Sequence, residues 1–159
     1  MGECLMATIR TMPPIPVPLE SFEARRNQYY STRILKEMLG NVPRDAFKLL
    51  GVTDKELCIP ILTYVFGEAQ VGGTAAVVSL ARLRQEHYGL TPDPPLLLER
   101  LRKECLHELG HTFGLVHCPS RDCVMYLSNT VVDVDTRGRD FCRGCETVVA
   151  SSTATERRR

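Results

Sequence analysis

His107-Glu108-Leu109-Gly110-His111-Thr112-Phe113-Gly114-Leu115-Val116-His117 decides how the chain is read. Its spacing is H-E-x-x-H-x-x-G-x-x-H. Two histidines four positions apart lie on one face of a helix, one turn apart, where a single metal ion can take both imidazoles. Gly114 lets the chain leave that helix in a conformation that other residues resist. The chain then doubles back and delivers His117. Three neutral nitrogen ligands leave one corner of a tetrahedral zinc open for water, which is the arrangement of a catalytic site and not of a structural one. Glu108 is not needed as a ligand and stands as general base. The chain has only four histidines, and three occupy these positions, so a chance match on an ordinary helix is a poor account of them.

The residues before the motif extend the helix. The expected span is Pro95 to Phe113, entered through the proline-rich loop Thr91 to Pro95, since proline suits a helix start. An apolar face is expected from Leu98, Leu101, Cys105, Leu109 and Thr112. His87 falls outside every metal spacing and is read as a surface histidine.

Directly after His117 come Cys118 and Cys123, a C-x4-C pair, and further on Cys142 and Cys145, a C-x2-C pair. Four thiolates in two close pairs suit a closed, structural zinc site. Two disulfides, or four unrelated thiols, are the competing readings. The N-terminus lacks a basic region followed by a long apolar run, so reduced thiols or a metal are favoured over disulfides. Met125 lies between the pairs, where a methionine after such a histidine motif marks a Met-turn, a tight turn that sets an apolar thioether beneath the ligands.

The rest of the chain frames this core. At 159 residues a single domain is expected, with 1–95 as sheet and backing helix and 96–159 as active-site helix, Met-turn, cysteine site and C-terminal helix. Hydrophobic content of 43% and charged content of 25% are ordinary for a soluble globular protein. A net charge of +1 gives no field that argues for nucleic acid or an anionic membrane, and no stretch is long enough to span one. A cytosolic monomer is expected.

Cys4 to Thr11 reads as a first strand. Pro13, Pro14, Pro16 and Pro18 then make an extended connector. Ser21 to Leu39 reads as a helix capped by Ser21, ended by Gly40-Asn41 and Pro43. Tyr29 and Tyr30 read as packing residues. Asp45 to Leu50 reads as a short helix and Gly51 to Asp54 as a turn. Leu57 to Phe66 reads as strand, demoted by Pro60 to an edge or to two short pieces. Gly67 and Gly72-Gly73 mark a turn, and Thr74 to Leu83 a further strand, whose expected role is the cleft rim where a peptide adds as another strand. Cys58 and Cys105 read as core thiols, as does Cys4.

Taken together, these residues resemble the archaemetzincins, a branch of the metzincin metallopeptidases. The features that match are the histidine motif, the adjoining Cys118 and Cys123, Met125, and the pair Cys142 and Cys145. Arg102-Lys103-Glu104 and Phe141 also match. The dense resemblance covers Leu98 to Cys145, and a weaker likeness runs back through Phe66-Gly67 and Ser79 to Leu83. The resemblance implies an α/β (α+β) zincin domain, with a mixed twisted sheet, a backing helix, the active-site helix, the Met-turn and a C-terminal helix from about Phe141 to Thr153. It implies one catalytic zinc on His107, His111 and His117 with Glu108 as general base, and one structural zinc on Cys118, Cys123, Cys142 and Cys145. Some metzincins carry a metal-reaching tyrosine two residues after the Met-turn methionine. Here that position is Leu127, so the role is not carried over to Tyr126, which reads as packing.

The expected reaction is peptide hydrolysis, on short peptides or unfolded chains, with endopeptidase and aminopeptidase modes both open. Two rivals are a non-catalytic zinc-binding protein that keeps the ligands and a redox-responsive thiol module. Glu108 argues against the first, because it is neither a ligand nor an evident structural need.

Overall fold

The computed structural model describes residues 7–156. Strands β1 (Phe22–Glu23), β2 (Gln28–Tyr30), β4 (Leu57–Ile59) and β5 (Leu62–Val65) form one sheet in the order β1-β2-β4-β5. Strands β3 (Leu49–Thr53), β6 (Gly67–Ala69) and β7 (Ala75–Ser79) form a second in the order β3-β7-β6. Among the described residues four α-helices complete the fold: α1 (Ser31–Leu39), α2 (Pro94–Thr112), α3 (Val131–Thr136) and α4 (Arg143–Glu156).

β7 is the axis of the second sheet. All five of its residues are buried, as expected for an apolar run covered on both faces. It runs parallel to β3 and antiparallel to β6. Ala75 and Val77 pack with Ile34, Leu35 and Met38 of α1. Val78 points the other way and packs with Cys105 of α2, Phe66 and Leu83. The sheet therefore lies between a backing helix and the motif helix. A third cluster, Leu106, Leu109, Phe113, Leu115, Cys123, Val124, Met125, Phe141 and Val149, fills the space between α2, the Met125 turn and α4.

The first third departs from expectation. Ala7 to Thr11 forms no strand, and the remainder of that proposed strand, 4–6, lies outside the described residues. The proline-rich strap is held by a paired contact from Arg10 to Asp45 (2.9 and 2.8 Å) and borders a groove beside β3 and α1. Only Ser31–Leu39 of the proposed Ser21–Leu39 helix is helical. Asn27 takes a left-handed φ of 51°, turning the chain so that β1 and β2 pair antiparallel. Tyr29 and Tyr30 then align with Leu57 and Cys58 of β4. Long-range pairing overrides the local helical stripe. Ser21 is not a cap: its hydroxyl donates to the Pro18 carbonyl at 2.5 Å.

Residues 45–48 are not helical, and Gly51 is not in a turn but mid-way along β3. A Cβ there would stand 3.0 Å from the Met38 Sδ, so the glycine makes room for packing. Pro60 does split its run into two strands, β4 and β5, which pair antiparallel. Gly67 opens β6, and Gly72 (φ 67°) makes the turn. β7 is flanked on both sides, so it cannot take a further strand; the edges of this sheet are β3 and β6, and β6 is the one that lies against Glu108. Leu98, expected on the buried face of α2, is 67% exposed.

Candidate active site

α2 is built to present the motif. Asp93 caps its start, accepting from the Leu96 N–H at 3.0 Å, and prolines fill the first turn. The helix ends in a Schellman turn. Gly114 N–H donates to the His111 carbonyl (2.9 Å) and Leu115 N–H to the Gly110 carbonyl (3.1 Å), with Gly114 at φ 92°. That reversal brings His117 back over the helix, its ring centroid 5.3 Å from His107 and 5.0 Å from His111.

The imidazoles are held from behind. His107 Nδ1 lies 2.8 Å from the Val124 carbonyl, and His111 Nδ1 lies 2.7 Å from the Leu115 carbonyl. A carbonyl only accepts, so both Nδ1 atoms carry the proton and both Nε2 lone pairs are free to bind. His107 Nε2 and His111 Nε2 are 3.2 Å apart. Zinc–nitrogen bonds of about 2.0–2.1 Å at tetrahedral angles require roughly 3.3 Å. The donor set therefore fits zinc. Burial pushes the pKa of His107 well below its ordinary value, with Arg137 adding to the effect, and burial also lowers His111 and His117. All three are thus neutral bases near pH 7.

Glu108 is buried beneath β6. A Cβ on Gly67 would fall 2.8 Å from Glu108 Oε1, so only glycine lets the strand backbone lie this close to the carboxyl. Burial, then the nearby Glu104 carboxyl, push its pKa well above the usual carboxylate range. The loop after β6 is tied to the same helix, since Gly72 N–H donates to the His111 carbonyl at 2.8 Å.

Met125 is fully buried, and a Cβ on Gly110 would run into its sulfur. The methionine therefore packs against the helix between the two motif histidines. Its carbonyl accepts from Cys118 N–H at 2.9 Å, which joins the Met-turn to the chain just past His117. Tyr126 is half-buried with the Arg121 guanidinium 5.4 Å over its ring, and so packs as expected.

Cys118, Cys123, Cys142 and Cys145 converge on a second point. Their sulfurs all lie within 4.8 Å of one another, as do the ligand nitrogens of the three histidines. Cys118 Sγ and Cys142 Sγ are 3.9 Å apart, close to the roughly 3.8 Å that zinc–sulfur bonds of about 2.3 Å impose. None of the four is in a disulfide. The Cys142 thiol is drawn down to about 7, first by the Cys145 backbone N–H, which favours the thiolate a metal needs. Donor identity and spacing again fit zinc.

The sequence of Peptidase family M54 matches residues 14–150. The chain belongs to this family, the archaemetzincins. It is 42% identical to the archaemetzincin of Methanocaldococcus jannaschii over 134 residues, covering 84% of this chain and 73% of that one. It is 45% identical to the Methanopyrus kandleri archaemetzincin over 129 residues, covering 81% and 70%. The crystal structure of the latter superposes with a TM-score of 0.78 over 86% of this chain and 72% of that one. A zinc-dependent peptidase from Methanocorpusculum labreanum superposes with a TM-score of 0.83 at 30% identity, over 93% and 88%. The family makes this chain a zinc metallopeptidase, a hydrolase with peptide as substrate, and the mixed α/β fold is that of archaemetzincins. Among the described residues no helix is long and apolar enough to cross a membrane.

The site brings together every residue singled out for it, and leaves His87 exposed beside Tyr88. What spacing alone missed is a set of buried charges on the same helix: Arg100, Lys103 and Glu104, with Arg137 from beyond α3. The helical spacing of Arg100, Lys103, Glu104, His107 and His111 was a signal for the α2 members, since they continue one face. Arg137 has no such signal.

Proposed function

We propose that the chain, 1–159, acts as one catalytic domain that hydrolyses peptide bonds, with Glu108 as general base and acid. His107, His111 and His117 would hold one zinc, and Cys118, Cys123, Cys142 and Cys145 a second, structural one. The observation that carries this is the fit of the histidine nitrogens to one tetrahedral metal beside a buried carboxyl that is not among them. Zinc there would supply Lewis acidity for activating water and a peptide carbonyl. Glu108 takes a proton from the attacking water at a carboxylate oxygen and returns it to the leaving amine, a role that a raised pKa suits. Such proton transfer contributes about 10²–10⁴ in rate. The Nδ1–H bonds to Val124 and Leu115 keep both helical imidazoles aimed and neutral. The free edge of β6, beside Glu108, receives an extended peptide by main-chain pairing.

The test is Glu108→Gln. Metal analysis should give two zincs per chain in both proteins. Cleavage of a diverse peptide mixture, read by mass spectrometry, should fall to background in the variant only, and the cut positions separate endopeptidase from aminopeptidase action. Two zincs and no turnover by the unaltered protein would favour a non-catalytic zinc-binding module instead.

A further inference from the structure

Arg137 is thirty residues from His107 in the chain and outside every recognised motif, yet its side chain is 1% exposed and reaches the metal site from behind. Its Nη2 donates to Glu104 Oε1 at 2.9 Å. Its Nη1 lies 3.2 Å from His107 Nδ1, 3.1 Å from Ser128 Oγ and 3.4 Å from the Tyr126 carbonyl. A guanidinium only donates, and His107 Nδ1 carries the proton it gives to Val124. The contact with His107 is therefore a packing contact against the ring edge, and the hydrogen bonds of Nη1 go to Ser128 and the weaker Tyr126 acceptor. Arg137 Nε, also buried, has no partner.

The placement of this guanidinium is itself over-determined. α3 is closed at its start by a capping box between Thr130 and Asp133. Arg100 of α2 grips Asp135 with two bonds of 2.7 Å. Lys103 of α2 donates to the carbonyls of Val134, Asp135 and Arg137, each at 2.9 Å. Two cations of the motif helix thus fix the backbone at residue 137, and Arg137 returns to the same helix at Glu104, one turn before His107. Leaving Nε without an acceptor is a cost that ordinary packing would avoid.

We propose that Arg137 is a positioning residue for the catalytic metal: its guanidinium ties the motif helix at Glu104 to the segment after Met125, and so holds the His107 ring against the Val124 carbonyl with Nε2 turned into the site. This rests on the reading of His107, His111 and His117 as the zinc ligands. The planar cation satisfies Glu104 on one side and the polar groups after the Met-turn on the other, a task no apolar side chain can do. The His107 ring, wedged between Arg137 and Val124, keeps one rotamer.

The test uses Arg137→Met, the paired Glu104→Gln/Arg137→Met, and Arg137→Lys. Arg137→Met leaves a buried carboxylate alone and is prone to misfold, so the paired variant, with no unbalanced charge, is the one to read. Zinc affinity is measured by chelator competition on metal-free protein, separately for the histidine and cysteine sites, and the cobalt-substituted histidine site is followed by its visible spectrum. In the paired variant the histidine site should weaken about 10–100-fold, the scale for lost outer supports of a ligand, with a changed cobalt spectrum and an unchanged cysteine site. Arg137→Lys, which keeps a buried donor cation, should restore most of the affinity. With peptide, the paired variant should lower kcat at saturating zinc more than it raises KM. Unaltered histidine-site affinity and cobalt spectrum in the folded paired variant would overturn the proposal, as would a lysine variant no better than methionine. If the unaltered protein binds both zincs tightly but cuts no peptide, the peptidase reading fails while the affinity comparison still decides the role of Arg137.

Discussion

Gly114→Ala tests how the third histidine is delivered. Gly114 has φ 92°, and a Cβ added there meets nothing within 4 Å. The penalty is therefore backbone strain alone, about 1–2 kcal/mol. Against it stands a gain of about 0.4–1 kcal/mol from the stiffer unfolded chain. The net loss is about 1 kcal/mol, or ~2–4 °C in Tm for a domain of this size. Gly89 is the matched control: it has φ 73°, equally open space and a place in the exposed loop before α2. Gly89→Ala should cost a similar amount of stability. The two must differ in metal binding. Relaxing Gly114 alters the turn that carries His117 to within 5.0–5.3 Å of the other two rings. Zinc affinity at the histidine site should fall on the order of tenfold or more, the scale seen when ligand supports are disturbed. Thermal melts of metal-free protein and chelator competition provide both quantities. Equal zinc affinities for the two alanine variants would refute the argument that Gly114 sets the third ligand.

Cys142→Ser should abolish the cysteine zinc and also weaken the histidine site, because Cys118 N–H holds the Met125 carbonyl (2.9 Å) and Cys142 N–H bonds Cys123 Sγ (3.3 Å); full histidine-site affinity would make the two centres independent. Leu106→Ala, at a site with 0% exposure within the cluster under the histidines, should destabilise by about 2–5 kcal/mol in urea melts, and a loss under 1 kcal/mol would mean that the cluster is loosely packed. Hydrogen bonds from Thr130 lower the Asp133 carboxyl pKa, so its contribution is present above the unfolded value and is lost as pH falls through the folded one. The stability gap between the unaltered metal-free protein and Thr130→Val should accordingly narrow as pH drops from about 6 to about 3, passing the ordinary carboxylate pKa of about 3.9; a constant gap would remove Asp133 from the cap.

The histidine and cysteine sites were legible because their information is local. His107 and His111 are fixed by helical period, Gly114 by the φ it alone tolerates, and the two cysteine pairs by short spacing. Met125 was legible only by its place after the third histidine, and the structure supplies the reason for that place: Gly110, between the two helical histidines, has no side chain to hold its sulfur away. The first third was not legible in the same way. Tyr30 shares the helical spacing of Ile34, Leu35 and Met38 yet also has strand propensity, and the choice is made by Leu57 and Cys58 pairing with Tyr29 and Tyr30, nearly thirty residues on. Gly51 reads as a turn until Met38 is seen to need its space. Such residues are decided by partners that no local window contains.

The amphipathic template failed on α2 for a different physical reason. Leu98 faces solvent, while Arg100, Lys103, Glu104, His107 and Glu108 are all buried. Burying that many ionisable groups opposes folding unless each has a partner. Arg100 has Asp135, Lys103 has three carbonyls, and Glu104 has Arg137. His107 bonds the Val124 carbonyl and groups with His111 and His117, and Glu108 packs against Gly67 of β6. The paired charges Arg100, Lys103 and Glu104 precede His107 and Glu108 along the helix. The first group fixes how the helix sits against α3, and through Arg137 that fit reaches the ligand ring itself. An α2 with an apolar first half could bind the sheet as tightly, but nothing in it would reach across to the segment after Met125. Local violation of the burial pattern is what a functional site requires here, and the direction of the violation, charge inward and leucine outward, marks Arg100, Lys103 and Glu104 as the residues that position those after them.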